Sequence, residues 1–191
     1  MKEDRQEIVN VAAPTPPTWT VDSDGSIHFS LTSTGETGTE WADWFRTNRY
    51  DLDNDAKFML RSTDFQPNKV DTISEIVVLP CKLWSADFCI TPEVRVKAGG
   101  MGFKQEKEES PEIACLIRRA FSDEEIEKKM GLTRIITLHT PICGSDGDPS
   151  LLAIYRGNGG GGLGASCDWP DSRWDRDDSF AFVVSQVSPQ N

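Results

Sequence analysis

Several common protein classes are ruled out by what this sequence lacks. No apolar run reaches the roughly 18 residues that a membrane span requires. The stretch from Met1 to Trp19 mixes charges with prolines and has no continuous apolar core, so it makes a poor secretory signal. There is no CxxC pair, and neither of the two histidines stands near a cysteine pair at zinc-site spacing. No GxSxG elbow offers a serine nucleophile. Basic residues are few: 20 Lys and Arg face 31 Asp and Glu, a net charge of -11, and the pI is about 4.6. That balance argues against a protein that tracks phosphates on nucleic acid, and against docking on an anionic membrane. With 191 residues, 37% of them hydrophobic, and a mean hydropathy of -0.45, the chain can bury the core of one ordinary domain. The five cysteines, an odd number at wide spacing, read mostly as reduced, buried small hydrophobes. Reduced cysteines and no signal suggest a cytoplasmic location, with display at a surface left open.

Residues 1–38 read as an N-terminal arm or linker. Pro14, Pro16 and Pro17 forbid a helix there. Trp19 to Leu31 can form a hairpin turning at Asp24-Gly25, and Thr32 to Thr39 is a Thr/Ser/Gly linker. Residues 39–191 form the expected domain. Thr39 is a candidate cap for a helix carrying Trp41, Trp44 and Phe45, and a second short helix holds Ala56, Phe58, Met59 and Leu60. Asp51-Leu-Asp-Asn-Asp55 imitates half of an EF-hand loop. It has Ala56 where the turn needs glycine and Ser62 where a bidentate Glu belongs, so it reads as a helix start. Thr72 to Pro80 is a strand, residues 91–98 are ambiguous, and Ser110-Pro111-Glu112 opens a helix. Ser122-Asp-Glu-Glu125 is a capping box for another helix, which Gly131 ends. Arg134 to His139, Ser150 to Tyr155 and Phe180 to Val184 read as strands. Helices upstream and strands late give the class α+β.

Three candidate chemistries are weak. Gly157-Asn-Gly159-Gly-Gly-Gly162 matches GxGxxG, but Leu-Gly-Ala-Ser-Cys-Asp-Trp-Pro follows and cannot supply the helix that holds a pyrophosphate. His139 with Cys143 or Cys167 resembles a Cys/His pair, but a structural histidine on a strand is the simpler reading. The aspartates between Asp146 and Asp178 could gather calcium ligands. Aspartate is common in turns, so no metal site and no cofactor is assigned.

A second absence is harder to dismiss. Residues 131–185 contain no Lys, Glu, Gln or Met, whereas residues 1–130 contain 29 of them. At the upstream rate about 12 would be expected in those 55 residues. Strand and turn preferences explain part of the deficit. They do not explain why all seven acidic residues there are Asp. The four missing amino acids, like Trp, have no codon ending in a pyrimidine, and the abundant ones do. This is the footprint expected if Asn codons, AAC or AAT, were randomised at their adenines.

The relevant residues are Ser145-Asp-Gly-Asp-Pro-Ser-Leu-Leu152, Arg156, Pro170-Asp171, Trp174, Arg176-Asp177 and Phe180-Ala-Phe-Val-Val-Ser-Gln186. In these the chain resembles the variable proteins of diversity-generating retroelements, in particular a bacterial group with an FAFVVSQ-like ending. The segments from Trp44 to Phe65 and from Leu116 to Leu132 resemble that group more weakly, so the likeness spans about residues 39–186. It implies a C-type lectin-like fold of the formylglycine-generating-enzyme type, with short antiparallel strands in its C-terminal half. A variable region of about residues 155–179 would display altered side chains on a rigid frame. Trp174, Phe180 and Phe182 would be fixed anchors. The diversified positions would be Tyr155, Asn158, Gly164, Ser166, Cys167, Asp168, Asp171, Ser172, Asp175, Asp178 and Ser179. Arg156, Trp169, Arg173, Arg176 and Asp177 would be fixed neighbours in the binding surface. The chain departs from the group at Gly159-Gly-Gly-Gly162, where a charged residue and Trp often stand. Trp169 is not reachable from AAC or AAT through adenine changes alone.

The expected function is therefore binding of a protein or other macromolecular ligand. Aromatics and Arg would act as anchors, and the Asp cluster would favour a basic partner. The rivals are an oxidase-like enzyme of the formylglycine-generating type using Cys143 and Cys167, and a structural or assembly protein whose glycine run is a solvated loop.

Overall fold

A computed structural model describes residues 17–84, 88–103, 109–157 and 160–187. It is mixed α+β. Among these residues nine strands form one sheet.

The sheet begins in the region read as an arm. β1 (Trp19–Val21) and β2 (Ile27–Thr32) form the expected hairpin. Gly25 takes φ +88° at its turn, and the Asp24 carboxylate accepts from the Ser26 amide at 2.9 Å. β2 then pairs along its length with β4 (Ile73–Pro80). From Trp19 onward this stretch therefore belongs to the sheet and is not a separate arm. Alternation is the cause: Ile27, Phe29 and Leu31 point one way into the core and cannot be left in solvent.

β11 (Asp178–Val187) is the keystone. It pairs antiparallel with β4 and parallel with β6 (Arg134–Thr137). Antiparallel to β6 runs β8 (Pro149–Gly157), followed by β9 (Gly160–Cys167), with β3 (Asp51–Leu52) parallel to β9 at the edge. β7 (Ile142–Cys143) lies against the start of β8. The C-terminal strands are thus not uniformly antiparallel, and only some are short: β6, β7 and β10 (Trp174–Asp175) have 4, 2 and 2 residues, whereas β8, β9 and β11 have 9, 8 and 10. The run from Phe180 to Val183 is apolar on both faces, so it needs strand partners on both edges and cover on both sides.

Alternate β11 side chains feed two cores. Ala181 and Val183 join the core under α1 (Gly38–Thr47), α2 (Asn54–Arg61) and α4 (Glu112–Ala120), with Trp41, Phe45, Met59 and Ile117. Phe180 and Phe182 join the opposite core under α3 (Thr91–Gly100), with Cys81, Cys89, Val94, Leu151 and Trp174. A small second sheet pairs β5 (Phe88–Cys89) with β10 (Trp174–Asp175).

Local chemistry places the helices. The cap of α1 is Thr37, not Thr39, because Thr37 and Glu40 have the three-residue spacing of a capping box: the Thr37 amide donates to Glu40 Oε2 at 2.8 Å. Asp53 caps α2 by accepting from the Ala56 amide at 2.6 Å, as the helix-start reading of Asp51 to Asp55 expects. Ser122 and Glu125 form their box ahead of a π-helical turn, Glu124–Lys129, and Gly131 leaves it at φ +68°. The ambiguous stretch after residue 90 is helix α3, with Pro92 in its first turn.

Candidate functional site

The strand registers place one polar row across five strands. Asp51 on β3 stands opposite Gly162 on β9, Gly162 opposite Tyr155 on β8, Tyr155 opposite Arg134 on β6, and Arg134 opposite Asp178 on β11. The row shares a sheet face with the Phe180 core and lies just beyond it. The Tyr155 hydroxyl donates to Asp51 Oδ2 at 2.6 Å. Burial, followed by the Asp51 hydrogen bond and charge, pushes the Tyr155 phenol upward. The Arg134 guanidinium donates to Ser166 Oγ on β9 and stands 3.8 Å from Asp178 Oδ1. Asp178 also accepts from the Asp175 amide at 2.8 Å, and burial pushes its carboxyl upward.

The glycine run forms the floor of this row. Its described part, Gly160 to Gly162, is paired within β9. A Cβ on Gly162 would lie 2.8 Å from the Asp51 carbonyl oxygen and 3.1 Å from Tyr155 Cζ. One on Gly164 would lie 2.6 Å from Asp53 Oδ2 and 2.9 Å from Tyr155 Cε1. A Cβ on Gly161 would collide with the ion pair of buried Arg118 and Asp123, whose charged atoms are 2.7 Å apart. Absence of side chains lets β9 pass this close.

The proposed diversified positions are distributed unevenly. Cys167, Asp171 and Asp175 are exposed, and Tyr155, Ser166, Asp168 and Ser172 are half-buried. Gly164, Asp178 and Ser179 are buried, with Ser179 only 1% exposed. Each of these three is held between neighbouring strands and is not on the surface. Asn158 lies outside the described residues. The five neighbours Arg156, Trp169, Arg173, Arg176 and Asp177 are all exposed, and Arg156 pairs with Glu127.

Trp174, Phe180 and Phe182 are buried, and Trp174 meets Phe180 edge to face at 6.0 Å between ring centroids. Trp174 Nε1 donates to Thr91 Oγ1 at 2.9 Å, and Thr91 donates in turn to Asp168. The loop from 168 to 173 turns on Ser172, whose amide donates to the Trp169 carbonyl at 2.9 Å. Asp168 and Asp178 therefore serve the frame, and the exposed part of the region carries Asp171, Asp175 and Asp177 beside three arginines. Such a mixed surface offers less attraction for a basic partner than the aspartate count implies.

The cysteines differ from expectation. Cys81 and Cys89 are paired as a disulfide, Cys115 is buried and free, and Cys143 and Cys167 are exposed. Only Cys115 fits the reading of a reduced, buried hydrophobe. Cys143 stands opposite Pro149, and Cys167 opposite Ser150, on strands flanking β8. Two strand spacings separate them, about 9–10 Å, beyond the reach of a disulfide without backbone movement. His139 is fully buried. Its Nε2 accepts from the Leu152 amide at 2.9 Å and its Nδ1 donates to the Thr140 carbonyl at 2.6 Å, so both ring nitrogens are occupied.

No group of three His, Cys, Asp or Glu among the described residues is arranged to hold a metal ion. No helix among them is long and apolar enough to cross a membrane. No protein-family model, no curated protein and no solved structure matches the chain. Arg134, Asp51 and Asp53 were not singled out as site residues from sequence. Arg134 reads there as an ordinary strand start, and only its register against Tyr155 and Asp178 gives it a role.

Proposed function

We propose that this chain is a ligand-binding protein of the retroelement-diversified type, on a C-type lectin-like frame. Its binding surface comprises the polar row around Tyr155, Arg134 and Ser166, together with the exposed 167–177 segment. The observation that carries this reading is the coincidence of two patterns. The region depleted of Lys, Glu, Gln and Met also alternates buried anchors with exposed polar or aromatic side chains. Trp174, Phe180 and Phe182 are buried, while Trp169, Asp171, Arg173, Asp175, Arg176 and Asp177 face outward. Rigid anchors with variable contacts are the physical requirement of a paratope. The surface side chains can then change without disturbing the core.

Trp169, 47% exposed, and the arginines supply the anchors of binding energy. The partner is a protein or another macromolecule, bound with no catalytic step. The wide separation of Cys143 and Cys167 supports this reading over the oxidase-like one.

The deciding experiment is genetic. The DNA beside the gene is sequenced for a reverse transcriptase and a near-copy of the codons for residues 155–186. The expected result is such a copy, differing from the gene at template adenines. Its absence, or differences scattered over other bases, refutes the reading.

A further inference from the structure

A separate feature lies between the loop after α2, the start of α4 and the turn that follows β6. It is an open cleft of about 640 Å³, lined in part by Asp64, Asn68, Glu109, Ser110 and Thr140. Among its described lining residues are two carboxylates and no basic side chain. Glu109 is only 3% exposed. Its Oε1 accepts from the Val183 amide at 2.8 Å, which holds the carboxyl where the β11 register shifts beyond Val183. Its other oxygen, Oε2, is buried and has no hydrogen-bond partner. The side-chain nitrogen of Asn68, on the same cleft, is likewise buried without a partner, while the Asn68 backbone is fixed by a 3.0 Å bond to Glu112.

Buried polar atoms are rarely left unpaired, and each such atom calls for an explanation. Here the two residues that carry these unpaired atoms, Glu109 and Asn68, line one acidic cleft. We propose that the cleft binds a small primary ammonium ligand that also carries an oxygen acceptor, with the ammonium on Glu109 Oε2 and the oxygen on Asn68 Nδ2. A divalent metal fits less well, since it needs several oxygen ligands and no group of three suitable residues is arranged for one among the described residues. An ammonium needs only a few acceptors and gains from a carboxylate held out of water. Arg95 is the cation near Glu109, and its Nη2 donates to the Leu138 carbonyl at 2.9 Å. Burial outweighs the Val183 amide, Arg95 and the Leu138 amide, all of which favour the carboxylate, and raises the Glu109 carboxyl to about 8. At pH 7 the empty cleft therefore holds mostly the protonated acid, and uptake of an ammonium releases a proton. The site shares no residue with the surface around Tyr155 and stands or falls independently of it.

The test is titration of the full chain with ethanolamine at pH 7, followed by NMR, with 1-propanol as the neutral control. Saturable shifts are expected at the amides of Asn68, Ser110 and Thr140, with no such response to 1-propanol. Glu109→Gln, which keeps an acceptor for the Val183 amide, should weaken binding at least ten-fold, and Asn68→Ala several-fold. Asn68 sits on a half-exposed loop, so its variant keeps the test alive should Glu109→Gln fail to fold. Calorimetry in phosphate and in HEPES should give different heats for the wild type, reporting the released proton. The proposal is overturned by the lack of a saturable shift, by an equal response to 1-propanol, by unchanged affinity in either folded variant, or by buffer-independent heats.

Discussion

The Tyr155 hydroxyl reaches across Gly162 to donate to Asp51 at 2.6 Å, linking β8 to β3 over the intervening strand β9. That reach exists only because Gly162 has no side chain. A Cβ there would press at once on the Asp51 backbone and on the Tyr155 ring.

Gly162→Ala and Gly164→Ala should therefore each destabilise the fold by about 1–3 kcal/mol, the usual cost of overpacking a close contact. Gly99→Ala is the counterpart, at an open position in α3 with no neighbour within 4 Å of the added carbon. It should stabilise by about 0.4–1 kcal/mol through the unfolded chain. Urea unfolding of the three variants checks the contrast, and a neutral Gly164→Ala would show that β9 has room for a side chain there.

Anchors and displayed residues should separate in the same assay. Trp174→Ala removes a buried indole packed on Phe180 and should cost about 3–5 kcal/mol. Trp169→Ala and Arg176→Ser lie on the exposed surface and should stay within about 0.5 kcal/mol of the parent. Comparable losses at Trp169 and Trp174 would contradict the division between frame and surface.

His139 gives a pH signature at the acid end. Burial lowers its imidazole from 6.5 to about 4, so the folded state favours the neutral ring. Its contribution is fully present above pH 6.5 and is lost as pH falls through about 4. His139→Leu leaves the Leu152 amide and the Thr140 carbonyl without their partner and should cost about 1–3 kcal/mol at pH 7. That gap should narrow as the melting curves are taken toward pH 4.

Glu109 has the opposite sign. Its folded value is raised from 4.5 to about 8, so its contribution is present below pH 4.5 and is lost as pH rises through about 8. Glu109→Gln, which cannot ionise, should match the wild type near pH 5 and gain on it steadily toward pH 9. Melting temperatures across that range test it, and a constant offset would mean that the carboxyl ionises normally.

Thiol labelling should sort the cysteines into three groups. Cys143 and Cys167 should react in the native protein, because both are exposed. Cys115 should react only after unfolding, since it is buried and burial pushes its thiol well above the ordinary value. Cys81 and Cys89 should require a reductant. A counted titration with a chromogenic disulfide reagent, run under the three conditions, distinguishes these groups.

Features decided by a few neighbouring residues were readable in advance. Asp24-Gly25 turns a hairpin, Asp53 caps α2, and Ser122 with Glu125 forms a box, because each needs only partners within three residues. Trp174, Phe180 and Phe182 are buried, as large apolar side chains in a folded domain usually are. Boundaries that depend on distant partners were not readable. The 27–32 segment reads as part of an arm because its partner β4 is distant in the chain, and residues 91–98 carry too weak a pattern to choose helix over strand.

The sequence by itself determined the α+β class, the helix starts and the unusual amino-acid usage of residues 131–185, since propensity, capping and codon content are local properties. Only the tertiary structure decided that Gly160 to Gly162 lie in a strand, that Gly164, Asp178 and Ser179 are buried, and that Arg134 joins Tyr155 and Asp178 in one row. The reason is register. A side chain's neighbours across a sheet are set by the pairing of whole strands, and no short window of sequence contains both partners.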